Sequence, residues 1–296
     1  MTPYLHSDGR SGVVLFGGAA AHCGSPAIRD SLLWFRTDTT WHPIAAAGGP
    51  AAREDALMAF DPDSRSLFLY GGRDGATVYE DTWQYRQGQW RRLAAAGGPG
   101  KVEHPAIAFD PRRKVLVVFG GGTRANPRTP SAATWEWNGT GWSNVTSSAS
   151  PAGRVAHSMT WSPTLGVLLY GGFSPAGAYR DLWRRTGSGW DKLSDAGPAD
   201  TEGPALISTS KGLLLLAQRA TGSGATRMAA WRYHGPAWVL LADGGPATRI
   251  GQVSALDSAR SRVVVLGGVR EGDNQLSPEI WQLDLSTSPP TWTVHR

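Results

Sequence analysis

The chain has 296 residues, with 29 Lys and Arg against 24 Asp and Glu, a net charge of +5. The basic residues are scattered through turns with no run or stripe, which argues against a nucleic-acid partner. A single cysteine excludes an internal disulfide, residues 1–10 lack the apolar stretch of a secretory leader, and no run approaches the ~18 apolar residues of a membrane span, so a cytoplasmic protein is expected.

In chain order, the apolar run 13–16 ends at Gly17-Gly18 and is followed by Trp34 and Trp41. Residues 67–70 end at Gly71-Gly72, before Trp83 and Trp90; residues 115–119 end at Gly120-Gly121, before Trp135 and Trp142. Residues 167–170 end at Gly171-Gly172, before Trp183 and Trp190. A fifth run, 213–216, ends at Ala217-Gln218 where a glycine pair is due, before Trp231 and Trp238, and the last pair, Gly267-Gly268, precedes Trp281 and Trp292. The first tryptophans stand 48 to 52 residues apart, and the second follows after seven residues in five units and eleven in the last. This is one unit written six times, and it assigns 12 of the 14 tryptophans to packing.

Each unit reads as strands. The apolar runs are bounded by turn residues such as Asp61-Pro62 and Asp110-Pro111, and the tryptophans are separated by hairpin turns such as Gln87-Gly88 and Gly187-Ser188-Gly189. Glycine at a strand end allows a positive φ or a close backbone approach. No stretch repeats at the helical period. The reading is therefore all-β and a single domain over 1–296, with units at about 1–45, 46–94, 95–146, 147–194, 195–242 and 243–296. The opening strand is expected at 4–7, with the ring closing by unit against unit and neither terminus lending a strand to the other's sheet.

A period near 50 with a diglycine and spaced aromatics resembles the Kelch repeat, whose unit is one four-stranded blade of a β-propeller. Residues 151–190 carry the pattern most fully: Arg154, His157, Gly171-Gly172, Asp181-Leu182-Trp183 and Trp190. The resemblance implies a six-bladed Kelch-type β-propeller with four antiparallel strands per blade. It also gives Arg53, Arg154, Arg249 and His157 structural roles, bridging blades or holding loop carbonyls; Arg53 is counted among the ligand-binding candidates as well. Asp81, Asp181 and Glu279, each two residues before a tryptophan, are expected to bond backbone amides of a neighbouring loop. Sialic acid mutarotases share this form and work without a cofactor by acid/base chemistry at the channel mouth. The cysteine–tyrosine copper site and the Glu-xxx-Asp-xxx-His iron run of other relatives have no counterpart here.

Strands alternate direction, so the connections after the second and fourth strands of each blade emerge on one face, where a site would be built. Aligning the innermost strands on Asp61, Asp110, Ser162, Thr209 and Asp257 places Glu54, Glu103, Val155, Glu202 and Ile250 in one column. Asp55, His104, Ala156, Gly203 and Gly251 form the next. Carboxyl groups held close in a partly dry site raise one another's pKa, so Glu54, Asp55, Glu103, His104 and Glu202 are the catalytic candidates. The alternative is that they are solvated rim residues or caps of backbone amides. The loops of that face add Arg73, Arg124, Tyr179, Arg180, Gln218, Arg219 and Arg270 as ligand-binding candidates, with Asp74, Arg128 and Glu271 nearby. His22 and Cys23 read either as a nucleophile or half a metal site, or as a free surface thiol beside an imidazole. No helix start follows the diglycines, so they are not phosphate loops. Only four of the 29 basic residues are lysine, a usage suggesting a GC-rich bacterial genome.

The expectation is a small-molecule-binding propeller acting as a cofactor-free, metal-free enzyme of the isomerase, cyclase or lyase type. The alternative is a protein interaction module using the same loops.

Overall fold

The computed structural model describes residues 2–5, 11–20, 28–38, 40–44, 46–75, 77–123, 129–198, 203–222, 225–270 and 275–295. It forms six four-stranded antiparallel sheets, each from one continuous segment. Blade 1 consists of Thr2–Leu5, Ser11–Phe16, Leu33–Thr37 and Thr40–Ile44. Blade 2 has Leu57–Asp61, Ser66–Tyr70, Thr82–Arg86 and Gln89–Ala94; blade 3 has Ala106–Asp110, Val115–Phe119, Thr134–Trp137 and Trp142–Asn144. Ser158–Ser162, Gly166–Tyr170, Leu182–Arg185 and Trp190–Ser194 form blade 4. Blade 5 has Ala205–Thr209, Gly212–Ala220, Thr226–His234 and Ala237–Ala242, and blade 6 has Val253–Asp257, Arg262–Leu266, Ile280–Asp284 and Thr291–His295. The only helical element among the described residues is the 3₁₀ turn Ser258–Arg260, and no helix there is long and apolar enough to cross a membrane.

The inner strand of each blade lies against the next, and Thr2–Leu5 touches both Leu57–Asp61 and Val253–Asp257, which closes the ring. Thr2 pairs with Val14 and Leu5 with Ser11, so the opening strand lies two residues earlier than the sequence suggests.

The second tryptophans weld the blades together. Four of the six pack edge-on against the aromatic residue ending the second strand of the preceding blade: Trp90 on Phe16 at 5.5 Å, Trp142 on Tyr70 at 5.3 Å, Trp190 on Phe119 at 5.6 Å and Trp238 on Tyr170 at 5.3 Å. Indole N–H groups reach back as well, Trp142 donating to Thr82 Oγ1 at 2.9 Å and Trp190 to Thr134 Oγ1 at 3.0 Å. The first tryptophans donate within their own blade, Trp83 to Asp81 and Trp183 to Asp181, each at 2.7 Å. Asp81 and Asp181 thus serve an indole and, as shown below, a guanidinium, in place of the loop amides expected. The side chain two residues on is simply nearer.

The diglycines end strands by conformation. Gly71 and Gly72 have φ of 63° and 92°, and a Cβ on Gly72 would lie 2.8 Å from the carbonyl oxygen of Glu54. Ala217-Gln218 has no such freedom, so the strands of blade 5 run on, Ala217 pairing with Ala229 and Gln218 with Met228 in two nine-residue strands. Beyond the glycines of blades 2 and 4 lie short ribbons the sequence reading left as loops, Arg73–Asp74 with Thr77–Val78 and Phe173–Ser174 with Gly177–Ala178.

Candidate functional site

Three buried arginines hold the loops of the diglycine face. Arg53, 1% exposed, donates to the Ala51 carbonyl at 3.0 Å, the Gly71 carbonyl at 2.8 Å and both carboxylate oxygens of Asp81 at 2.6 and 3.2 Å. Its guanidinium lies over the Tyr79 ring at 3.8 Å. Arg154 repeats the arrangement with Ala152, Gly171, Asp181 and Tyr179. Arg249 uses Ser277 and Glu279. Burial works against ionising Asp181, but the Arg154 guanidinium outweighs it and holds the carboxyl below its usual range. His157 is buried beside Arg154, edge-on to Phe119 at 5.5 Å, and burial, reinforced by that positive charge, pushes its pKa down to about 3. It is a neutral packing imidazole at physiological pH.

The two columns read from the sequence are built by the backbone. Glu54 exchanges both backbone hydrogen bonds with Arg73 at 2.9 and 2.8 Å, Glu103 with Gly122 at 2.8 and 2.9 Å, and Val155 with Phe173 at 3.0 Å each way. Ile250 pairs with Val269. The first column therefore clasps the post-diglycine loop through main-chain atoms, which leaves its side chains free to vary. The second column is left-handed throughout: φ is 58° at Asp55, 54° at His104, 53° at Ala156, 97° at Gly203 and 75° at Gly251. Aspartate and histidine are among the side chains best tolerated there, after glycine.

On this frame one cation gathers three carboxylates from two blades. Arg73 Nε lies 2.8 Å from Asp55 Oδ2 and 3.6 Å from Glu54 Oε1, and its Nη1 lies 3.9 Å from Glu103 Oε1. Burial lowers the proton affinity of Arg73, while Asp55 first, then Glu54 and Glu103, raise it to a net increase. The carboxylates meet, as the column implied, but around a guanidinium that relieves their repulsion. Three carboxylates and one guanidinium leave the group with a formal charge of −2. His104 is exposed next to Glu103. The Tyr79 hydroxyl donates to the Asp74 carboxylate, a bond that pushes its pKa up. Below the mouth, the channel is a cavity of about 480 Å³ whose walls mix apolar side chains such as Met58, Ile107 and Trp161 with Ser158, Thr160 and Ser208. The group is thus acidic above a channel of mixed lining.

The other candidates stand apart from it. Tyr179 lies over Arg154, its hydroxyl 3.0 Å from Ser174 Oγ, and Arg180 is exposed. Gln218 Oε1 accepts from Thr248 at 2.7 Å, Arg219 pairs with Asp243, and Arg270 is held in register with Arg249. Glu202, Arg124, Arg128, Glu271, His22 and Cys23 lie outside the described residues. Among the described residues, no three His, Cys, Asp or Glu side chains are grouped to hold a metal. Sequence reasoning treated Arg73 as one rim arginine of several. Its distinction is its place directly after a glycine pair, where blades 3 and 4 carry Gly122 and Phe173.

No family model matches the chain, and no match is found among the curated proteins. The chain's own topology, six blades of four antiparallel strands around a central channel, makes it a β-propeller.

Proposed function

We propose that the protein binds a small polar or zwitterionic molecule at the mouth between blades 2 and 3 and acts on it by proton transfer without a cofactor, as an isomerase, cyclase or lyase. The observation supporting this reading is Arg73 held among Glu54, Asp55 and Glu103 above the central channel. A ligand ammonium pairs with the carboxylates, a ligand carboxylate with Arg73, and the remainder enters the channel. His104, exposed beside Glu103, is the acid/base partner.

A thermal-shift panel of amino acids, amino sugars and related zwitterions tests the binding, and NMR of each hit tests turnover. Arg73→Met and Glu103→Gln should each abolish the shift, and Arg91→Ala, on an outer strand, should leave it intact. His104→Gln should retain binding and lose turnover. Binding that survives both Arg73→Met and Glu103→Gln sinks the reading.

A protein partner at the same face is the second reading, favoured by three large apolar side chains beside the diglycine loops: Leu32 at 45%, Phe173 at 38% and Ile250 at 54% exposure. Phe173→Glu and Ile250→Glu would then abolish partner capture while leaving small-molecule shifts unchanged.

A further inference from the structure

Two seams of the ring make corresponding contacts, but one of them has an amide where the other has a carboxylate. Between blades 3 and 4, Asp110 accepts from Arg113 Nε at 2.8 Å, and Arg113 also bonds Glu136 at 3.0 Å. Glu136 then receives Arg185 of the next blade at 3.2 Å. Arg185 is buried, and its remaining donors go to the carbonyls of Thr186 and Gly189. Two arginines therefore meet two carboxylates.

Between blades 6 and 1 the same contacts fall to Asp257, Arg262, Gln282 and Arg36, although Arg262 stands in register with Asp257 where blade 3 has Val115, and the positional counterpart of Arg113 is Arg260. Gln282 follows the first tryptophan of its blade by one residue, as Glu136 does, and Arg36 follows its own by two, as Arg185 does. Arg262 Nε bonds Asp257 at 3.0 Å and its Nη1 bonds Gln282 Oε1 at 3.0 Å, reproducing the Arg113 contacts. The carboxylate of Glu136 is here an amide. Arg36 is 1% exposed, and among the described residues none of its three guanidinium nitrogens finds an acceptor; the buried Nε2 of Gln282 finds none either. The neighbouring Arg260 is matched by Asp38 at 2.6 Å, so that pair supplies no spare negative charge. Burial and then the nearby charge of Arg262 lower the proton affinity of Arg36, an effect that Asp257 and Asp38 offset only in part, and its guanidinium lies 6.0 Å from the centre of the Trp41 ring.

A guanidinium stays charged in proteins, and a buried one whose donors all lack an acceptor is among the most unfavourable arrangements a fold can hold. We propose that a small monoanion, a halide or a simple carboxylate, occupies the seam between blades 6 and 1, bound by Arg36 and the Gln282 amide. It takes the place that the Glu136 carboxylate fills between blades 3 and 4. The site lies at the ring closure, so the anion locks the first blade to the last.

The test is the thermal midpoint of the whole chain in chloride, bromide or formate against gluconate, too bulky for the seam, at equal ionic strength. The midpoint should rise by roughly 2–4 °C in a small anion. Chloride or bromide activity assigns a halide, and activity of formate alone assigns a carboxylate. Gln282→Glu supplies the carboxylate from the chain, so it should raise the midpoint in gluconate and remove the dependence on small anions. Arg36→Met should remove that dependence too, and crystals grown in bromide should show anomalous scattering beside Arg36. A wild-type midpoint indifferent to all three small anions overturns the proposal, as does a response that persists in Arg36→Met.

Discussion

The Nε of Arg73 lies 2.8 Å from Oδ2 of Asp55 while the same guanidinium reaches Glu103 of the next blade at 3.9 Å, so one side chain joins two blades at the channel mouth. Arg73→Met leaves three carboxylates facing one another without a cation. The group is partly exposed, so the loss of stability should be modest, about 1 kcal/mol or less. It should be larger at low ionic strength than in 1 M salt, which screens the repulsion of the carboxylates. Urea denaturation of both proteins at the two salt concentrations measures the difference.

Ala156 adopts φ of 53° in the left-handed column that ends with Gly203 and Gly251. Ala156→Gly should therefore stabilise the protein by up to about 1 kcal/mol, read from chemical denaturation. The same change at Asp55 or His104 should relieve backbone strain while impairing ligand handling at the mouth. Column two then separates frame from function in a single series of substitutions.

Arg154 and Asp181 form a buried, doubly bonded pair at 2.6 and 3.0 Å. Arg154→Met leaves the carboxylate without its cation and should cost roughly 3–5 kcal/mol. Adding Asp181→Leu should recover part of that loss, measured as the coupling energy of a double-mutant cycle.

His157 titrates at about 3 in the fold against 6.5 unfolded. The unfolded chain binds the proton more readily, so this contribution is fully present above pH 6.5 and is lost as pH falls toward 3, with a slope of at most about 1.4 kcal/mol per pH unit. His157→Asn removes the titration and leaves a packing defect. Its stability deficit should be largest at pH 7 and narrow toward pH 4; a deficit constant across that range would contradict a buried neutral imidazole.

The frame was legible because its signals are local. A diglycine after an apolar run and two tryptophans seven residues apart each describe one blade, and six copies describe the ring. The second column was also visible, since Gly203 and Gly251 stand in line with Asp55 and His104, but its left-handed backbone emerged only in the fold. The glycines mark a backbone requirement that the polar residues share. Ala217-Gln218 attracted notice as a departure, and its meaning is conformational: without two glycines the strands continue. Arg73 at the centre of the acidic group could not be read in advance, because Glu103 joins it from another blade through the curvature of the ring. The Arg36 seam was equally hidden, since its imbalance emerges only when Gln282 is set beside Glu136 across two interfaces.

The second tryptophans of blades 2 to 5 pack backward, onto the blade made before: Trp90 onto Phe16, Trp142 onto Tyr70, Trp190 onto Phe119, Trp238 onto Tyr170. Assembly is therefore directional in time. As the chain leaves the ribosome, each of blades 2 to 5 finishes the seam with its predecessor as soon as its fourth strand exists, so none of them waits for a later blade. The exception is the seam between blades 6 and 1, whose partners Asp38 and Arg260 are 222 residues apart. It forms last, and the half-built ring carries Arg36 until blade 6 arrives to cover it.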